Sequence, residues 1–242
     1  MGIAPVPCAS WSDYKSRIVT DLFPDGRFRR GKYLFRGQGS NAWALSSTFD
    51  RWYKGPREKR FKTAERLLDE FIRECEGEDL PDSIRNDRDG MLGLAQHNGL
   101  PTRLLDWSES PYVAAFFAFS GHIRSGDPAD GQVAIWTLDT GSFVWHRENG
   151  CEILSVPSFG NERIRNQHGR FTYLRAPYDS LEEYAGSFSE QSALRKYVVP
   201  GRDAESAMAD LDTMGLSHSR IYPGIGGNAK AAEVRVLLNP VP

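Results

Sequence analysis

The chain has 242 residues, of which 40% are apolar and 26% charged, the proportions of a globular protein with a core rather than of a disordered or repetitive one. A formal net charge of −2 supplies no long-range basic field, so a polyanionic partner would have to be caught by a local cluster. Cys8, Cys75 and Cys151 are odd in number, far apart and without a CxxC pair, which argues against a disulfide framework and against a zinc site and fits a reducing cytoplasm.

Met1 to Ser10 lacks a basic start followed by a long apolar run, and the longest apolar stretch, Tyr112 to Phe119, is too short to span a bilayer. The expectation is a soluble cytoplasmic protein without membrane contact. Trp11, Tyr14, Ile18, Leu22 and Phe23 recur at helical spacing behind Ser10 or Ser12 as the cap, predicting an N-terminal helix. After the turn Pro24-Asp25-Gly26, Lys32 to Arg36 reads as a short strand closed by Gly37 and Gly39. Glu58 to Glu76 carries Phe61, Ala64, Leu67, Leu68, Phe71 and Ile72 on one face, a surface helix on a core. Asp87 to His97 reads as a further helix ended by Gly99.

A loop is expected over Thr102 to Asp106, with Leu104 and Leu105 turned inward and the polar groups pinned between them. Ser110-Pro111 has the form of an N-cap and first-turn proline for a helix, apolar nearly all round, through Phe119. Downstream, strands are expected at Gln132 to Leu138, Arg170 to Leu174, Lys196 to Val199 and Arg220 to Tyr222, with a helix at Ala204 to Met214. Asn149 to Asn161 reads as irregular, Tyr178 to Ser192 as mobile, and Ile225-Gly226-Gly227 as a turn. The mixture predicts an α+β fold, a single domain whose modest, mostly antiparallel mixed sheet is flanked by helices. Residues 1–29 would form a helical extension packed on a domain spanning 30–242.

Two polar clusters stand out against this background. Arg36, at a strand end beside glycines that would let a ligand reach the backbone, suits a diphosphate or carboxylate through paired hydrogen bonds; equally it could pair structurally with Asp50 or Asp106. Gln38 follows on the same face if the strand continues. The stretch Gln96 to Trp107 adds His97, which could contact a ligand or cap helix carbonyls, then Thr102, Arg103 and Asp106. Mutual neutralisation of Arg103 and Asp106 is the expected structural role of the carboxylate. Trp107 suits either stacking on a planar ligand or the core, and Gln167, ahead of Phe171, could complete a pocket. The sequence has no G-x-S-x-G, H-E-x-x-H or GxxxxGK[ST] pattern, so lipase, zinc-protease and P-loop readings lack their defining parts.

Phe35-Arg36-Gly37-Gln38, the run Gln96 to Trp107 with Ser110-Pro111, and Gln167, Gly169, Phe171 and Thr172 together resemble the FRG-domain family, named for its Phe/Tyr-Arg-Gly motif, over roughly residues 30 to 235. The resemblance implies an ADP-ribosyltransferase-like plan with NAD as substrate. Arg36, Gly37, Gln38, Thr102, Arg103 and Asp106 would then form the NAD-binding set. Gln167 would stand where such enzymes place a catalytic Glu, with His97 beside the reacting centre and no metal. Because Gln is neutral, Glu162, Glu190 or Asp106 could supply the missing charge. The implied function is transfer of ADP-ribose to a protein or nucleic-acid target, in the manner of a bacterial or phage-associated toxin or defence effector with a possible antitoxin. A noncatalytic nucleotide- or peptide-binding module and an NAD glycohydrolase are the alternatives.

Overall fold

The computed structural model describes residues 2–126, 128, 130–156, 170–222 and 224–238. Among these residues, seven strands form two sheets. In the first, β1 (Pro5–Pro7), β2 (Tyr33–Gln38), β4 (Gln132–Asp139) and β7 (Leu194–Pro200) lie in the order β1-β7-β4-β2, and β1/β7 is the parallel pair. The second sheet, β3 (Leu104–Trp107), β5 (Cys151–Leu154) and β6 (Arg170–Leu174), is antiparallel in the order β3-β6-β5. Phe35 of β2 and Ser108, just past β3, exchange two backbone hydrogen bonds of 2.7 and 2.8 Å that join the sheets. The fold is α+β, with a mostly antiparallel mixed sheet among helices, as the sequence pattern predicts.

Helix α1 (Trp11–Leu22) starts at Ser10, whose hydroxyl accepts from the Asp13 N–H, and it buries Trp11, Tyr14, Ile18 and Leu22. It is followed by α2 (Thr48–Trp52), α3 (Arg60–Glu74), α4 (Asp82–Arg85) and α5 (Arg88–His97). The central helix, α6 (Pro111–Ser125), is capped by Ser110 with Pro111 in its first turn. Then come α7 (Leu181–Gly186), α8 (Ala204–Thr213), α9 (His218–Ile221) and α10 (Ile225–Leu238). Among the described residues, no helix is long and apolar enough to cross a membrane.

Strand alternation feeds two cores. From β4, Val133 and Ile135 join Trp11, Tyr14, Phe116 and Phe119 on the α1/α6 side, while Ala134, Trp136 and Leu138 join Leu105 and Trp107 between the sheets. A third cluster lies between the second sheet and α3/α5, where Leu68, Leu92 and Ala95 meet Leu104 and Phe171. Helix α6 crosses β2 at very close range. A Cβ on Gly37 would sit 1.9 Å from the Ala114 carbonyl oxygen, and one on Gly39 would sit 2.7 Å from Gly121 backbone. The glycines beside Arg36 are therefore required for the close approach of a helix.

Five local expectations change. Leu104–Trp107 is a strand rather than a loop, and its lack of alternation has a cause: Leu104 and Leu105 face different cores, so both sides are apolar. Cys151–Leu154 is a strand inside the stretch read as irregular, the later part of which lies outside the described residues. Within the segment expected to be mobile, α7 buries Leu181, Tyr184 and Ala185. Residues 218–221 are helical, not a strand. Ile225-Gly226-Gly227 opens a helix rather than a turn, because Gly227 lets α10 start against α9: a Cβ there would lie 1.7 Å from the Tyr222 carbonyl oxygen.

Two predictions test this packing. Gly37→Ala forces backbone apart from backbone and is expected to destabilise the fold by about 2 kcal/mol or more, read as a lower urea midpoint with an unchanged m-value. His218 is buried, with Nε2 2.7 Å from the Ser120 hydroxyl and its ring 4.6 Å from that of Phe116. Burial lowers its pKa from the ordinary 6.5. The folded state thus favours neutral imidazole: this contribution is complete above the unfolded value and is lost as pH falls through the folded one. Wild type should lose stability relative to His218→Gln on acidification below 6.5. A pH-independent difference in melting temperature between the two would contradict this.

Candidate functional site

The Phe35–Ser108 junction sets β2 against β3 and so places Arg36 beside Asp106, seventy residues along the chain. Arg36 Nη1 donates to the Asp106 carbonyl oxygen at 2.7 Å and lies 3.9 Å from carboxylate Oδ2. Its Nε is buried without a partner, and Nη2 makes no hydrogen bond among the described residues. Burial pulls the guanidinium pKa down and the like charge of Arg51 adds to that, against the opposing pull of Asp106. Arginine stays protonated throughout any working pH range, so this group is a cation with an incomplete set of partners.

Asp106 is held from the other side. Gln96 Nε2 donates to Oδ1 at 2.8 Å, while Gln96 Oε1 accepts from the Thr102 hydroxyl and Thr102 Oγ1 in turn accepts from the Leu104 N–H at 3.3 Å. That chain fixes the amide: with its oxygen taken by a donor, its NH₂ must face the carboxylate. Protein surrounding the site raises the Asp106 pKa, with Arg36, the Asp106 backbone N–H and Gln96 opposing. Even so, the side chain is 60% accessible, because it stands on the floor of an open cleft with one face to water. Solvent therefore moderates the shift.

Arg36 and Asp106 form the waist between two lobes. One, of about 260 Å³, is walled by Phe35, Trp107, Ser108, Ala114, Phe117 and Tyr222. The other, of about 240 Å³, is walled by Ser46, Thr48, Arg51, Gln96, Gly99 and Leu100 together with Leu104 and Leu105. An aromatic compartment and a compartment lined by hydroxyls, an amide and a cation thus meet at Arg36 and Asp106. Such a site suits an elongated ligand with a flat ring at one end and anionic groups at the other.

Of the residues singled out from sequence, Arg36 and Asp106 come together, and Gly37 lines the aromatic lobe while making room for α6. Gln38 does continue the Arg36 face of β2, but its amide is engaged at both ends: Nε2 donates to the Ala44 carbonyl at 3.0 Å and Oε1 accepts from Trp136 Nε1 at 2.6 Å. It lines neither lobe. Thr102 is buried and acts through Gln96. Arg103 does not neutralise Asp106. Its side chain is fully buried, with Nε on Asp50 at 3.0 Å and its two terminal nitrogens on the Ala176 and Tyr178 carbonyls at 3.0 and 2.7 Å. His97, the last residue of α5, is exposed and lines neither lobe. Glu190 accepts from the Ser142 hydroxyl, also outside both lobes. Gln167 and Glu162 lie outside the described residues. Trp107 is both core and cleft wall: 3% exposed, with its indole N–H on Thr172 Oγ1 at 3.0 Å.

Among the lining residues given no individual role from sequence are Gln96, Arg51, Phe117 and Tyr222. Gln96 carried a signal, being a polar residue amid the apolar end of α5, and so did Arg51, beside the Asp50 already under consideration. Phe117 and Tyr222 carried none, since an aromatic residue on an apolar helix or near a chain end reads as core. Among the described residues, no group of three or more His, Cys, Asp or Glu is placed to hold a metal, and Cys8, Cys75 and Cys151 are free thiols. Burial pushes the Cys8 thiol up to about 12, which makes it a poor nucleophile.

Comparison with known proteins matches residues 31–126 to the family model described as the FRG domain. The matched segment runs from just before β2 through α6, and so contains both Arg36 and Asp106. No curated protein and no solved structure matches the chain, so a relation to ADP-ribosyltransferases rests on nothing in these comparisons.

Asp50 accepts from both Arg103 and Arg60, at 3.0 and 3.1 Å, and is itself buried. Arg103→Ala strips a buried carboxylate of one partner and is expected to cost about 3–5 kcal/mol. The measurement is chemical denaturation; a loss below about 1 kcal/mol would show that Arg60 alone suffices for Asp50.

Proposed function

We propose that the two-lobed cleft binds NAD and that the protein transfers ADP-ribose from it to a macromolecular target. The observation that carries this reading is the meeting of an aromatic and a cationic lobe at the Arg36–Asp106 pair. NAD is itself zwitterionic, with an anionic diphosphate and a cationic nicotinamide riboside. Arg36 and Arg51 complement the diphosphate, the aromatic lobe takes the nicotinamide ring, and the carboxylate faces the ribose that joins them. The resemblance to the FRG motif supports the same assignment of Arg36.

In the reaction, the bond between ribose C1′ and the nicotinamide nitrogen breaks and its electron pair leaves with nicotinamide, which becomes neutral. The ribose gains oxocarbenium character, and an acceptor nucleophile attacks C1′ and gives up a proton. A fixed carboxylate stabilises that developing cation more than the ground state. Asp106, oriented through the chain from Thr102 to Gln96, is suited to this. Its neighbour Arg36 holds the anionic end, so neither ionic group has to reorganise during the step.

Isothermal calorimetry and nicotinamide release test the reading together. Arg36→Ala should weaken NAD binding about ten- to a hundredfold, the worth of a charged hydrogen bond. Asp106→Asn should leave binding within about threefold and cut nicotinamide release about a hundredfold or more. The release rate should rise with pH as Asp106 ionises. Gln96→Ala, by removing a hydrogen bond that favours the carboxylate, should move that limb to higher pH. Binding without release would make the protein a nucleotide-binding module, and release without transfer would make it a glycohydrolase. No binding at all by wild type would sink the proposal.

A further inference from the structure

A second cavity, of about 330 Å³, opens between α8 and α10, within the usual size of a small-molecule site. Glu205, Met208, Ala209 and Asp212 recur at helical spacing and give α8 one face toward it. Val234 lines it from α10, and Phe116 of α6 and His218 of α9 complete the wall. It shares no lining residue with either lobe of the cleft, so whatever it holds is held independently of the NAD reading.

The specific feature of this cavity is the His218 ring, only 4% exposed. Its Nε2 stands 2.7 Å from the Ser120 hydroxyl, and that hydroxyl has no other acceptor among the described residues. A buried hydroxyl has one proton to give, so Ser120 donates and Nε2 accepts. The neutral imidazole then carries its own proton on Nδ1. That nitrogen makes no hydrogen bond among the described residues, yet it is not sealed from solvent by protein. The cavity therefore presents a nearly buried donor that lacks an acceptor, beside the buried apolar side chains of Phe116, Met208 and Val234.

Charge sets the other requirement. Glu205 and Asp212 are exposed and make no hydrogen bond or ion pair among the described residues, whereas Arg235, the arginine among the lining residues, is already engaged. Seven residues apart on one helix, the two carboxylates flank Met208 and Ala209 over about 10 Å of its axis. We infer that this cavity binds a small organic ammonium compound: its nitrogen pairs with Glu205 or Asp212, its apolar body packs against Met208, Phe116 and Val234, and a hydroxyl or carbonyl oxygen accepts from His218 Nδ1. An organic anion would supply the acceptor but meet two uncompensated carboxylates. A purely apolar guest would leave Nδ1 without a partner and displace the water that can otherwise reach it.

Tyramine carries the three parts in its ammonium, ring and phenol oxygen, and isothermal calorimetry with it is the test. Wild type should bind tyramine with about millimolar affinity or tighter, an ordinary efficiency for about ten heavy atoms. Phenethylamine, which lacks the oxygen, and 4-hydroxyphenylacetate, which replaces the ammonium by a carboxylate, should each bind about fivefold or more weakly. These three ligands are compared on the unaltered chain, so the outcome does not hang on whether a variant folds. Ala209→Trp, at an exposed position on the cavity wall, should abolish tyramine binding while the urea midpoint stays at the wild-type value. Glu205→Gln combined with Asp212→Asn should weaken it about threefold or more. Failure of wild type to bind tyramine, equal binding of either control ligand, or binding indifferent to these substitutions would overturn the inference. NAD binding enters none of these readings.

Discussion

The site depends on one junction, the pair of backbone hydrogen bonds between Phe35 and Ser108. Without it the two sheets would be separate layers, and Arg36 and Asp106 would belong to different ones. Two other features hold the junction in place. Side-chain-free backbone at Gly37 and Gly39 lets α6 press directly on β2, and Ser108 is followed at once by Ser110-Pro111, which start that same helix. Strand, junction and helix therefore constrain one another, and the cleft lies where they meet.

Arg36 and Arg103 show how similar residues are put to opposite uses. Arg103 is wholly enclosed, and Asp50 and two carbonyls engage its Nε and both terminal nitrogens; a ligand could reach it only by dismantling the protein. Arg36 is left incomplete, with one nitrogen on a carbonyl and a carboxylate at 3.9 Å, too far for a firm ion pair. Desolvating a cation without fully pairing it is costly. An anion from outside would relieve that cost at Arg36, whereas at Arg103 no such cost is left to relieve.

Much of this was legible in the chain. The periodicity of α1, α3, α5 and α6 and their caps at Ser10 and Ser110 follow from local rules, and those rules hold because each helix has a single buried face or a complete one. Strand β3 was not legible, because Leu104 and Leu105 serve two cores and so hide the alternation that marks a strand. Helix α10 was hidden by the low helix propensity of Gly226 and Gly227; at Gly227 alone a close approach to the Tyr222 and His218 carbonyls, which only the structure shows, calls for glycine. In the site, the residue types were readable but their pairings were not. Nothing in the spacing tells Arg103 to choose Asp50, fifty-three residues away, over Asp106, three residues away.

That choice has a consequence for the carboxylate. Had Arg103 neutralised Asp106, the cleft would hold a saturated ion pair with no electrostatic preference for any ligand. With Arg103 withdrawn into the core, Asp106 keeps only the neutral Gln96 amide and a distant edge of Arg36, and its charge remains directed into the open cleft. In the proposed NAD complex the negative end of the ligand would lie toward Arg36 and Arg51, with Asp106 facing the ribose. On that proposal, the charge that Asp106 presents to the cleft depends on a pairing made outside it, between Arg103 and Asp50.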